Sequence, residues 1–328
     1  MNSILIWQQN INKSPTCQHD IISNNILTTE GINIIALQEP HINHLNRTIA
    51  SKDWIAIYPT PHGTTPEKTR AITLIRSSIS TDNWSQIDFP SNDVTAIQIR
   101  GTQGKITIVN IYNEGKGNET INKLTQFNSA HHNPPNTDKN VNSHTIWLGD
   151  FNRHHPYWDD HNDTRLFTNK EMEAAEILIE AVTDAGLEIA LPSGIPTHIH
   201  NVTKHWSRLD QVFLSDHSAN MLILCNTQPK HRGINTDHLP IVTKLKLSIG
   251  TNEEKPIQNF QDVNWEEFSK VLNEQLAKLQ PPTPIWNQRH LNAQCDSITK
   301  AIQDTISSLV LVSIISPKSK HWWTKELT

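Results

Sequence analysis

At 328 residues the chain exceeds a usual single domain, and with 36% hydrophobic and 19% charged residues it has the make-up of a folded globular protein, which excludes a disordered or fibrous one. A formal net charge of -5 excludes capture of a polyanion by overall charge, so contact with nucleic acid would depend on local cations or a bound metal. Three widely spaced cysteines, Cys17, Cys225 and Cys295, argue against a disulfide scaffold or cysteine zinc knuckle and suit a reducing compartment, and with no basic leader and no apolar run near the ~20 residues of a membrane span, neither secretion nor a membrane partner is expected.

Strand-like segments recur at residues 4–10, 32–38, 54–58, 70–76, 94–100, 105–111, 144–149, 209–214 and 239–247, many of them rich in β-branched residues. Helices are expected between them, at residues 18–27, 118–130 and 169–185. The last has the clearest signature. Thr168 stands as N-cap with Glu171 three residues on, Met172, Ala175, Ile179 and Val182 form an apolar series, and Gly186 terminates it. This mixture predicts a four-layered α/β sandwich, two mixed sheets packed face to face with helices outside, over residues 1–250.

After residue 250 the strand pattern ends, and residues 251–328 are expected to form a helical extension. Asn264 with Glu267 caps a helix whose stripe is Trp265, Phe268, Leu272, Leu276 and Leu279, stopped by Pro281-Pro282-Thr283-Pro284. A second helix over residues 290–312 carries Cys295, Ile298, Ile302, Ile306 and Leu309 at helical spacing, to pair with the first or with a downstream domain.

Polar clusters stand where the strands end. Ile4-Leu5-Ile6-Trp7 runs into Gln8-Gln9-Asn10, and Ile34-Ile35-Ala36-Leu37 into Gln38-Glu39-Pro40. Trp147-Leu148-Gly149-Asp150-Phe151-Asn152 delivers an Asp and an Asn, two residues apart, onto a loop. Alternate residues leaving a strand point the same way, so both can face one pocket and address a hard metal ion and a phosphate oxygen. The same four letters also suit a plain turn, because Asn and Asp hydrogen-bond locally and tolerate unusual φ. Further on, Ser207-Arg208-Leu209-Asp210 puts a carboxylate at the mouth of one strand and Thr236-Asp237-His238-Leu239-Pro240 opens another.

Taken in order, these residues resemble the endonuclease/exonuclease/phosphatase superfamily, whose members share an N-terminal Asn, a Gln-Glu strand end, a Gly-Asp-x-Asn loop, a Ser/Arg-x-x-Asp strand and a Ser/Thr-Asp-His-x-Pro close. All five occur here, from Asn10 to Pro240. Within that superfamily the chain is most similar to the apurinic-type endonuclease domain that begins the polyprotein of non-LTR (LINE-type) retrotransposons. The opening Trp7-Gln8-Gln9-Asn10-Ile11-Asn12-Lys13-Ser14, the extended loop Asp150-Phe151-Asn152-Arg153-His154-His155-Pro156-Tyr157-Trp158-Asp159 and the terminal His321-Trp322-Trp323-Thr324-Lys325-Glu326-Leu327 carry that likeness. It spans the first three quarters of the chain as nuclease and the remainder as a connector toward a reverse transcriptase.

The resemblance implies the same α/β sandwich and a Mg²⁺-dependent endonuclease, with Mn²⁺ able to substitute. Acting in the nucleus after translation in the cytoplasm, it would nick double-stranded DNA and leave a 3' hydroxyl that primes a reverse transcriptase domain of the same polyprotein. An abasic-site repair nuclease, a phosphatase of the same fold and an inactive DNA-binding module are the alternatives. In this scheme Glu39 is the principal metal ligand, with Asn10 and Asp237 assisting directly or through water. Asp150 is the base for the attacking water and Asn152 holds a phosphate oxygen. His238 meets the scissile phosphate, oriented by Asp210 from a separate strand, and Tyr112 either contacts phosphate or packs at an interface.

Substrate contacts are expected from Arg208, from His154 and from Trp206, the last as a groove wedge or a cap on the core. Lys52, Lys68, Arg70, Lys204, Arg208, Lys230 and Arg232 either line the rim or are solvated surface. His154, His155 and His161 with Asp159 and Asp160 fit no zinc motif and suit a substrate-rim or structural role. One departure from the pattern is Asn12, where the repair enzymes usually carry Asp, which lowers the negative charge of the site.

Overall fold

A computed structural model describes residues 3–23, 31–102, 104–132, 143–249, 256–279 and 284–314. Its strands are β1 (Ile4–Asn10), β2 (Ile34–Gln38), β3 (Trp54–Ile57), β4 (Ala71–Arg76), β5 (Trp84–Ile87), β6 (Val94–Gly101), β7 (Gly104–Tyr112) and β8 (Ser143–Asp150). They continue as β9 (Leu187–Ile189), β10 (His198–Ile199), β11 (Trp206–Ser207), β12 (Asp210–Ser215), β13 (Leu222–Thr227), β14 (Ile241–Leu245), β15 (Pro256–Gln258) and β16 (Val312–Ile314). The helices are α1 (Pro15–Ser23), α2 (Glu119–His132), α3 (Asn169–Asp184), α4 (Trp265–Ala277) and α5 (Gln288–Leu309).

Two six-stranded mixed sheets form, ordered β13-β14-β1-β2-β4-β3 and β5-β6-β7-β8-β12-β9. Each has one parallel pair, β1 with β2 and β7 with β8, and α1 and α2 lie in the connections those pairs require. Every residue of β1 is buried because its two faces serve two different cores. Ile4 and Ile6 join the layer between the sheets, while Leu5 and Trp7 pack outward with Cys17, Ile21 and Ile22 of α1. On the other side, Trp147 and Phe213 of the second sheet pack with Ala175, Leu178 and Ala181 of α3 and Ile121 and Leu124 of α2. The expected four layers are therefore helix, sheet, sheet, helix, and each fully buried Ile or Leu in them contributes ~1.5–3 kcal/mol.

All nine expected strand segments are strands of these sheets; β5, β9 and β13, which lie at sheet edges, were not foreseen. An edge strand needs less apolar sequence, and in β13 only Cys225 is buried. Thr168 caps α3 as expected, its hydroxyl accepting from Glu171 N at 3.3 Å. The buried face of α3 is turned slightly from the expected one, with Ala175, Leu178, Ala181 and Val182 inside and Met172 and Ile179 at its margin.

The chain divides into two compact units, Met1–Thr251 and Asn252–Thr328. In the second, Asn264 caps α4 through Glu266 N and Glu267 N, and β15 pairs with β16. The expected stripe of α5 is corrected: Ala301 and Thr305 are buried, whereas Cys295, Ile298 and Ile302 are exposed. Ile306 and Leu309 of that stripe are half-buried. Residues 281–283 and 321–327 of the motifs above lie outside the described residues. No described helix is long and apolar enough to cross a membrane.

Candidate active site

Strand register sets the site. Asn10 pairs with Gln38, so Glu39 follows at the same edge, and Tyr112 and Asp210 both pair with Asp150 from either side of β8. β14 runs antiparallel to β1 with Gln8 opposite Ile241, which returns the chain to that edge just where Asp237 and His238 precede the strand. Five distant motifs thus converge without any local sequence contact.

Two tight features make the convergence possible. Gly149 has φ +145°, and a Cβ there would collide with the Ile111 carbonyl of β7, so only glycine lets β8 pass this close before presenting Asp150. Glu39 takes φ 45°, a left-handed conformation uncommon outside glycine and worth noting at a site, with its N–H bonded to Arg70 O at 2.8 Å and its carbonyl to Lys13 N at 2.8 Å. Amides beneath the site join the sheets: Gln8 Nε2 donates to Gly149 O at 3.1 Å and Gln38 Nε2 to Asn110 Oδ1 at 2.6 Å.

At the centre, Asn10 Nδ2 donates to Asp150 Oδ2 at 2.8 Å and lies 3.4 Å from Glu39 Oε2. Its Oδ1 already accepts from Asn12 N at 2.9 Å. Asn10 therefore brackets two carboxylates with its amino group, while its Oδ1, which has two lone pairs, faces the backbone of Asn12. Asp150 Oδ1 accepts from Asn152 N at 3.0 Å. Burial pushes the Asp150 carboxyl up to about 7, with the His238 charge opposing and the Asp210 charge adding to the rise.

His238 is buried and its Nδ1 meets Asp210 Oδ2 at 2.8 Å, as expected of an orienting carboxylate. Its Nε2 lies 3.9 Å from both Asp150 Oδ2 and Asp237 Oδ1. Burial opposes a charge on this ring, but Asp210, then Asp150 and Asp237, outweigh it and hold the imidazole up at about 9. Bonding from His198, aided by the His238 charge and opposed by burial, keeps the Asp237 carboxyl at about 2. Tyr112 is half-buried beside them, and burial with the Glu39 and Asp150 charges pushes its phenol well above its ordinary range, so it serves as an O–H donor. The Arg70 guanidinium lies 5.0 Å from the Tyr112 ring centroid.

The other expected contacts divide. Arg208 is a correction: its side chain is buried and donates to Pro192 O at 2.6 Å and Leu191 O at 2.9 Å, so it staples backbone and does not reach substrate. Arg70 is likewise engaged, bidentate with Asp93 and 3.2 Å from Glu114. Lys52, Lys68, Lys204 and Lys230 are exposed, and Arg232 is half-buried. Trp206 is 45% exposed on the β10–β11 hairpin and so caps no core. Asn152, φ 49°, spends its Nδ2 on Asn113 O at 2.8 Å, which ties the loop down beside Asp150. His154 Nδ1 leans on the buried Asp159 at 3.3 Å, and neither of the close three-ligand groups among the described residues includes His154, His155 or His161.

Further residues join the site, Thr197 and His198 from outside the sequence motifs and Thr236 from within the last of them. Thr197 accepts from Leu209 N and Asp210 N through its hydroxyl and from Leu239 N through its carbonyl, so it locks the Asp210 and His238 segments together. Thr236 Oγ1 donates to Asn10 O at 2.7 Å and accepts from His238 N at 3.2 Å. His198 stands beside Asp237. A lone Thr or His in a loop carries no signal until pairing places it.

The partly exposed donors bordering Asp150 and His238 are hard oxygens, the carboxylates of Glu39 and Asp237. That set fits a small divalent cation that takes one or two carboxylates and keeps several waters.

Residues 106–242 match the model of a family described as endonuclease-reverse transcriptase, a span that includes Tyr112, Asp150, Asp210 and His238 but not Asn10 or Glu39. The fold matches the endonuclease domain of TRAS1, a telomere-specific non-LTR retrotransposon, at 17% identity over 74% of this chain and 99% of that one, TM-score 0.56. It also matches an AP endonuclease of Leishmania major (13% identity, 75% and 88% covered, TM-score 0.55). A third match is a 3' phosphatase from Neisseria bound to a product DNA hairpin (16% identity, 74% and 99% covered, TM-score 0.52). No curated protein sequence matches the chain. At these identities the structural likeness is one of fold alone, the α/β sandwich of two packed sheets flanked by helices.

Proposed function

We propose that the chain is a Mg²⁺-dependent endonuclease, with Mn²⁺ able to substitute, that nicks double-stranded DNA and leaves a 3' hydroxyl for target-primed reverse transcription. The observation that carries this reading is the continuous polar line Glu39, Asn10, Asp150, His238 and Asp210, which joins a metal-type carboxylate to a base and an oriented imidazolium. The family description of residues 106–242 and the fold shared with a retrotransposon endonuclease domain support it. The relative that holds DNA supports a DNA substrate. In this scheme residues 1–250 are the nuclease, residues 251–328 connect to a reverse transcriptase domain of the same polyprotein, and the site of action is the nucleus.

A divalent cation held at Glu39, with Asp237 assisting, would supply charge neutralisation at the phosphate. Asp150, fixed by Asn10 and Asn152, takes the proton of the attacking water as the water oxygen bonds to phosphorus and the P–O3' bond breaks, the leaving 3' oxygen taking a proton from solvent. His238 presents Nε2–H to a non-bridging phosphate oxygen while Asp210 holds the other ring nitrogen, and Tyr112 offers a second neutral donor. Supercoiled plasmid with Mg²⁺ should pass to the nicked form, and a polymerase should extend the nick. Glu39→Gln should slow nicking by ~10²-fold or more, the scale of a lost electrostatic stabiliser. Unchanged nicking by this variant removes Glu39 from the scheme, and strict dependence on an abasic lesion replaces targeting with repair.

A further inference from the structure

His198 stands outside every motif, yet the base of the β10–β11 hairpin sets it against the catalytic loop. Ile199 N donates to Asp237 O at 3.0 Å and Leu239 N to Thr197 O at 2.6 Å, and His198 forms an isolated bridge with His238. These bonds fix the His198 ring 4.8 Å from the His238 ring, with the Asp237 carboxylate beside both.

We propose that His198, Asp237 and His238 form a second metal site, for a nitrogen-preferring ion of the Zn²⁺ class, different in donor chemistry from the oxygen site at Glu39. One ligand atom from each residue lies within 4.8 Å of the other two. His198 Nε2 is 3.6 Å from Asp237 Oδ2 and His238 Nε2 is 3.9 Å from Asp237 Oδ1. Ligand bonds of about 2.0–2.1 Å in a tetrahedron separate donor atoms by roughly 3.3–3.4 Å, so side-chain rotations that shorten separations of at most 4.8 Å close the set.

Both rings are already held by the partners such ligands use. His238 Nδ1 meets Asp210 at 2.8 Å and His198 Nδ1 meets Ser207 Oγ at 3.1 Å, so each Nε2 turns toward Asp237. Asn201 Nδ2 donates to Asp237 Oδ2 at 2.9 Å and steadies the carboxylate. The side chains of His198 and Asp237 are 13% and 17% exposed, which leaves a face for entry and for water as fourth ligand. Imidazole nitrogens favour Zn²⁺ and Co²⁺ over Mg²⁺. The ion takes the place of the His238 Nε2 proton while Asp210 still accepts from Nδ1. If the nuclease reading holds, occupancy withdraws His238 from phosphate, and Zn²⁺ inhibits Mg²⁺-supported nicking.

Titration of the full chain with Co²⁺ alone, in chelator-free buffer, tests the site without reference to activity. Wild type should show the strong visible absorption of four- or five-coordinate Co²⁺, bleached by Zn²⁺. His198→Ala should lower Co²⁺ affinity by at least about tenfold, since even the partners of metal ligands matter on that scale, and Ser207→Ala should lower it less. Should His198→Ala fail to fold by its thermal melt, His198→Asn takes its place. Only the pale spectrum of the hexa-aqua ion, or undiminished Co²⁺ affinity in a folded His198 variant, overturns the site. On nicking, Zn²⁺ should inhibit wild type more strongly than His198→Ala; a protein that never nicks overturns the nuclease reading but leaves the Co²⁺ result standing.

Discussion

Two segments flank the site and are built in opposite ways. The loop after Asp150 is buried: Phe151, Arg153, Trp158 and Asp159 are all inside. Arg153 donates to the carbonyls of Gly115, Gly117, Asn152 and Ala174 and to Asn118 Oδ1. Trp158 Nε1 returns to Arg153 O at 3.0 Å, and Asp159 accepts from Arg208 N and His155 N. The β10–β11 hairpin is anchored at its base by Thr197 and His198, whereas residues 200–206 are exposed. The difference teaches a division of labour: chemistry needs a carboxylate fixed to within a fraction of an ångström, and substrate fit needs groups still free to meet a surface.

The largest effect should come from the locked side. Asp150→Asn keeps the shape but turns an NH2 toward one of the two N–H donors it now accepts from and cannot take a proton, so nicking should fall by ~10²–10⁴-fold, the range for loss of a general base. Plasmid relaxation over a time course measures it, with the melting curve as control for folding. If Asp150→Asn nicks at the wild-type rate, the division between the segments fails on its chemical side.

Next in size is the scaffold itself. Arg153→Met keeps much of the apolar stem but leaves the carbonyls of Gly115, Gly117, Asn152 and Ala174 without this donor, and each one that water does not reach costs ~1–3 kcal/mol. A net loss of about 3 kcal/mol is expected, which in a domain of this size lowers Tm by about 6–12 °C. Calorimetry or a thermal melt followed by circular dichroism reads this directly. A shift under 2 °C would mean that the loop is held by its apolar residues alone, and the contrast with the hairpin would rest on packing instead of hydrogen bonds.

Much of this was legible in the residues. β1, β2, β7 and β8 advertise themselves because central strands are apolar on both faces, and the polar residue that ends each is conspicuous for that reason. Asp210 and His238 could be paired in advance because an imidazole set against phosphate needs a carboxylate to orient it. Arg208 misled for the converse reason: a cation next to a catalytic Asp reads as substrate contact, and only tertiary structure shows it spent on Leu191 and Pro192 carbonyls. Asn10 could be placed at the site in advance, but that its amino group meets both Asp150 and Glu39 while its Oδ1 takes Asn12 N is visible only in three dimensions. His198 and Thr197 were invisible because a two-residue strand has no periodicity to detect.

The smallest expected effect lies on the hairpin and bears on the contrast most directly. Trp206 is 45% exposed and pairs only with Ile199 across the two-stranded ribbon, so its indole supports no core. Trp206→Ala should leave stability within about 0.5 kcal/mol, as for surface changes generally. If the indole lies against a base or wedges at a step, duplex binding should weaken by about 1 kcal/mol, or roughly fivefold. Hydrolysis of a small phosphodiester that never reaches the hairpin tip should be unaffected, because removing the exposed indole leaves the Asn10–Asp150 and Asp210–His238 bonds and the backbone bonds at the hairpin base in place. The informative measurement is therefore the ratio of the two activities. A fall in KM-controlled nicking of duplex alone keeps recognition on the hairpin; an equal fall on both substrates would place Trp206 in the support of the catalytic loop and erase the distinction between the free segment and the locked one.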